Sequence, residues 1–109
     1  MSSPLIESLE KLRGTPRDGA LLRYSLGLEH LKAGARGRAI AELREAVARD
    51  ARYSAAWKAL GRALAEDGHP DEARDAWTRG IEAARAKGDR QAEKEMTVFV
   101  RRLQKQRET

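Results

Sequence analysis

The sequence predicts an all-α protein, a solenoid of antiparallel helix pairs with about six helices. The first reason is an internal repeat. Leu26-Gly27 recurs 34 residues later as Leu60-Gly61, Gly34 as Gly68, Ala39 as Ala73, and Val47 as Ile81. A fixed period of this length marks a helix-turn-helix unit that buries its apolar face only by stacking on neighbours. The second reason is composition: alanine, leucine, arginine and glutamate dominate, while β-branched and aromatic residues are too sparse for a sheet. The third is that glycine- and proline-containing breaks separate segments whose apolar residues recur every three or four positions.

Ser3 is the expected N-cap of the first helix, with Pro4 at the first helical position, where a missing N–H costs nothing. Leu5, Leu9 and Leu12 continue it to about Arg13, and Gly14-Thr15-Pro16 ends it. Asp18 is the expected cap of the second helix. There Leu22, Leu26 and His30 form one stripe, and Tyr24, Leu28 and Leu31 a neighbouring one, so more than one side should be covered. Residues 33–37 turn the chain, and Ala39, Ile40, Leu43, Ala46 and Val47 face inward on the return helix. Ser54 is expected to cap the next helix, which carries Trp57, Leu60, Gly61 and Leu64. After Asp67-Gly68-His69, a helix opens on Pro70, Asp71 and Glu72, whose acids suit the positive end of the helix dipole. Ala73, Ala76, Trp77, Gly80 and Ile81 line its inner face. Beyond Lys87-Gly88-Asp89, a last helix sets Ala92, Met96, Phe99 and Leu103 against Lys94, Arg101 and Lys105, and fraying is expected from Gln106.

These residues resemble the tetratricopeptide repeat (TPR) family over about two-thirds of the chain. In the second copy, Trp57, Leu60, Gly61, Gly68, Ala73 and Trp77 fill signature slots, and Gly80 stands in for a later alanine. The first copy is looser. Leu26, Gly27, Gly34, Ala39, Leu43 and Ala46 match, whereas Arg23 replaces the tryptophan, His30 an aromatic and Ala51 the closing proline. The resemblance implies a right-handed solenoid in one domain, 1–109. It divides into an N-terminal capping helix and turn (3–19), two repeats (20–53 and 54–87), a C-terminal capping helix (88–106) and a tail (107–109). Counting back one period from Ala39 and Leu43 reaches Leu5 and Leu9, so the first helix reads as the return half of a degenerate repeat. The last helix reads as a terminal cap, with a dimerisation face formed by Met96, Phe99 and Val100 as the alternative.

Several functions are disfavoured. There is no cysteine, nucleophile elbow, phosphate-cradling loop or H-E-x-x-H motif. The two histidines, His30 and His69, fall in different repeats, so no metal, cofactor or catalytic residue is expected. Asp71, Glu72 and Asp75 read as a helix-dipole complement. No signal peptide and no membrane span are expected, and the cytoplasm is the expected location. The net charge of +5 comes from scattered arginines interleaved with acids rather than from a clustered patch.

By resemblance, the function is that of an adaptor or scaffold binding a protein or peptide on its concave face. The expected contacts are Leu21, Tyr24, Leu28 and Lys32 in the first repeat and Lys58, Arg62 and Glu66 in the second. A terminal helix folded over this arc is the competing arrangement. With no asparagine in the chain, the family's lysine, arginine and asparagine clamp for a C-terminal carboxylate is not expected in its usual form. Two alternatives stand beside the adaptor: a nucleic-acid accessory protein using Arg90, Lys94, Arg101, Arg102 and Lys105, and a structural homodimer.

Overall fold

Six helices run in antiparallel succession through the residues described by the computed structural model, 3–108. They are α1 (Pro4–Glu10), α2 (Ala20–Lys32), α3 (Arg36–Arg49), α4 (Ser54–Glu66), α5 (Pro70–Lys87) and α6 (Arg90–Glu108). Helix α2 pairs with α3, α4 with α5, and α5 with α6. Helix α4 also touches both α2 and α6, so these three share one face. The stack is a slab with extents of 44 × 31 × 18 Å.

The recurring glycines explain the pairing. Gly34 and Gly68 hold φ of 77° and 81°, the left-handed conformation in which a Cβ is strained. In this geometry Ala35 N–H reaches His30 O at 2.9 Å, and His69 N–H reaches Leu64 O at 2.8 Å. Each bond satisfies a terminal helix carbonyl and reverses the chain in a Schellman-type turn.

Gly27 and Gly61 set how closely the paired helices approach. A Cβ at Gly27 would lie 2.5 Å from Leu43 Cγ, and one at Gly61 would lie 2.5 Å from Trp77 Cε2. Gly80 repeats the device one helix on, with Met96 Sδ and Trp57 Cβ against its bare backbone. Each glycine therefore receives a large side chain sixteen positions later in the chain.

The main core runs from Ile40 through Met96, with Leu43, Ala46, Ala63, Ala73 and Ala84 fully buried. Both indoles have acceptors: Trp57 Nε1 donates to Ala51 O at 2.8 Å, and Trp77 Nε1 to Lys58 O at 3.1 Å. Helix α6 closes the far end as a cap. Met96 is fully buried, and Ala92, Phe99, Val100 and Leu103 pack on the core instead of standing open.

Several local expectations are corrected. Helix α1 ends at Glu10 rather than Arg13, and tighter turns carry the chain to Gly14. Leu5, one period before Ala39, is exposed, whereas Ile6, one period before the buried Ile40, is itself buried. Ile6 forms a separate small cluster with Leu22 and Leu26. Asp18 does not cap α2: the N-cap is Gly19, and the Asp18 carboxylate accepts from Gly14 N–H and Arg23. Ser54 lies inside α4, after Tyr53, and is buried. Helix α6 continues through Arg107, which pairs with Asp71 at 2.7 Å, to Glu108; Thr109 lies outside the described residues.

Candidate functional site

The face shared by α2, α4 and α6 holds an open depression of about 560 Å³. Tyr24, Leu28 and Leu31 form its α2 side. Helix α4 contributes Ala55, Ala59 and Ala65, whose small side chains leave the space unfilled, and Lys58, Arg62 and Glu66 as its polar groups. Trp77 and Phe99, with ring centroids 5.0 Å apart, complete the lining. Neither terminal helix covers the arc. Helix α6 instead runs along one edge, joined to α4 by the Lys58 Nζ–Glu95 Oε1 pair at 3.0 Å. Arg62 likewise pairs within its own helix, with Glu66 at 2.8 Å. Tyr24 also stacks on Tyr53, 4.9 Å between centroids, and Lys87 lies 5.8 Å from the Tyr53 ring. Burial, with Tyr24 next, raises the Tyr53 hydroxyl pKa.

Of the residues expected on this face, Tyr24, Leu28, Lys58, Arg62 and Glu66 line the depression. Leu21 and Lys32 do not: Leu21 is 68% exposed, and Lys32 pairs with Glu29 at 3.1 Å. Trp77 and Phe99 escaped the sequence reading because repeat periodicity assigns both to interior faces. Both nevertheless border the space that the small alanines of α4 leave unfilled. Leu31 had a signal, since it continues the three-and-four spacing of Tyr24 and Leu28 on one helix face.

A second polar cluster lies where α1 meets α2 and α3. Glu42, which the apolar pattern did not single out, is buried there. Arg13 bonds both Glu10 and Glu42, and Arg23 reaches Glu42 at 3.5 Å and Asp18 at 2.9 Å. Arg23 takes the position equivalent to Trp57, so an ion network in the first repeat stands where an indole packs in the second. Glu10, His30 and Glu42 bring potential metal-ligand atoms within 4.8 Å of one another. Both carboxylates are, however, already engaged by arginine, which supplies the cationic charge internally.

Hydrogen bonding by Arg13 lowers the Glu10 pKa, and Arg23 with the Gly14 N–H holds the Asp18 carboxyl well below the usual range. Burial and then Arg38 lower the pKa of His30, against a smaller upward pull from Glu10. The sign of the pH dependence follows. Above about pH 6.5, the ordinary histidine value, neither folded nor unfolded chain carries the proton. Below it, the unfolded chain binds a proton that the folded chain resists, so His30 destabilises the fold as pH falls. The melting temperature is expected to drop between about pH 7.5 and about pH 5.5, and less so in His30→Phe. Parallel profiles for the two proteins would show that His30 is not responsible. Glu10 and Asp18 act in a lower window, their contributions being lost only as pH falls through their lowered values.

The basic side chains Arg90, Lys94, Arg101, Arg102 and Lys105 are exposed along α6. The aromatic residue of that helix, Phe99, turns to Trp77 rather than interleaving with them. No described helix is long and apolar enough to cross a membrane.

No family model matches the sequence. The chain is 48% identical over 103 residues to the TPR repeat-containing protein PA0015 of Pseudomonas aeruginosa, covering 94% of this chain and 98% of that one. Among solved structures, protein BPP2914 of Bordetella parapertussis superposes with a TM-score of 0.80 at 39% identity, covering 97% of this chain and 91% of the other. A tetratricopeptide repeat domain protein of Salinibacter ruber superposes with a TM-score of 0.74 at 30% identity, covering 80% and 97%.

Proposed function

The chain belongs to the tetratricopeptide repeat family, whose domains generally mediate protein–protein interactions through their concave surface, and on that premise we propose that it is a non-catalytic cytoplasmic adaptor. It binds a peptide or helix of another protein in the groove between α2, α4 and α6. The observation that carries this reading is the groove itself: open, lined by aromatic and aliphatic side chains, and bordered by a few charged groups that can orient a ligand.

The test starts from a partner captured from native lysate at two salt concentrations and then purified. Lys58→Glu with Arg62→Glu is expected to weaken its binding at least tenfold while the helical circular dichroism spectrum stays unchanged. Because Lys58 pairs with Glu95, the reversal sets like charges against each other beside α6. The exchange Lys58→Glu with Glu95→Lys is the matched control, since it preserves the ion pair while altering the groove's charge pattern. Full binding by the Lys58→Glu, Arg62→Glu protein would sink the concave-face reading.

A further inference from the structure

The groove does not end at its central depression. Through Leu28 it continues into a smaller one, about 240 Å³, against Leu5 and Leu9. In the other direction, past Trp77 and Phe99, it opens into a third of about 520 Å³ that reaches Arg102 and Leu103. The two ends differ chemically. At the α1 end the lining is Leu5, Leu9 and Leu28 with Ser25 and Glu29, the latter paired with Lys32, and Leu5 is 50% exposed. Toward the α6 end the charged lining is Glu66 and Arg102, and the cations of the groove are not equivalent. Lys58 is held by Glu95 and Arg62 by Glu66, whereas Arg102 has no carboxylate within ion-pair distance among the described residues.

The groove also selects the form of its occupant. Tyr24, Leu28 and Leu31, which line it, are spaced four and three apart, a stripe that a helix with an apolar face packs against. A helix brings its backbone already satisfied and needs only an apolar stripe.

Resting on the concave-face reading, we propose that the groove binds an amphipathic helix in one orientation, its apolar end against Leu5, Leu9 and Leu28 and its acidic end at Arg102. Arg102 is the specificity determinant because it alone of these cations needs no internal carboxylate displaced before it pairs with the ligand. A guanidinium also suits two-point recognition of a carboxylate.

The probe is a synthetic amphipathic helical peptide about four turns long, with leucines at three-and-four spacing, glutamates in its terminal turn, and a nitroxide at the opposite end. It is titrated into the isotope-labelled full chain. The nitroxide is expected to broaden the amides of Leu21 and Ser25 and to spare Leu103. Replacing the terminal glutamates by lysine is expected to weaken binding about tenfold, and Arg102→Glu to reverse that preference. Broadening at both ends, or an unchanged preference in Arg102→Glu, would overturn the orientation and leave the groove reading standing. If no peptide shifts the Trp77 indole resonance, the groove reading falls as well.

Discussion

Met96→Ala is expected to cost about 2–5 kcal/mol of stability, the range for truncating a fully buried side chain. Among the described residues of α6, Met96 alone is fully buried, and its sulfur fills the notch left by Gly80 between α5 and Trp57. Truncation opens a cavity at the joint between the cap and the second repeat, which the flanking Ala92, Phe99 and Val100 only partly screen. In a domain of this size the melting temperature should fall by about 10 °C or more. The fluorescence of Trp77 should shift as Phe99 loosens against it. Val98→Ala, on the exposed side of the same helix, is the comparison and should change stability by less than about 0.5 kcal/mol. Equal melting temperatures for the two variants would show that α6 is not the cap described above.

Gly61→Leu should destabilise by about 1–3 kcal/mol through overpacking, even though leucine is the better helix former. The first added carbon already meets the Trp77 indole, a rigid ring held by its bond to Lys58 O and by Phe99. The helices must separate or the ring must leave its place, and either disturbs the groove that Trp77 lines. Gly27→Leu meets the branched end of Leu43 instead, which has other rotamers, so it should cost less than Gly61→Leu. Thermal unfolding of the two variants side by side checks both the sign and the order. An unchanged midpoint for Gly61→Leu would count against the repeat register itself.

The order of the helices, the turns at Gly34 and Gly68, and the close approaches at Gly27 and Gly61 were all legible in the sequence. Each is local or strictly periodic: a glycine where φ must be positive, a small residue where two backbones meet, an apolar stripe at helical spacing. The resemblance placed Tyr24, Leu28, Lys58, Arg62 and Glu66 on one face because residues at equivalent repeat positions share a face.

What only the tertiary structure decided is which side chains are buried, paired or bare where helices distant in sequence converge. Ile6 rather than Leu5 is buried because Ile6 is the residue of α1 that meets Leu22 and Leu26 of α2. Glu42 is interior because Arg13 and Arg23 arrive from two other segments to neutralise it. Trp77 and Phe99 line a groove with the small alanines of α4, and Arg102 has no carboxylate within ion-pair distance among the described residues. Periodicity specifies the face of a helix, but burial and charge pairing depend on what the rest of the chain sets against that face.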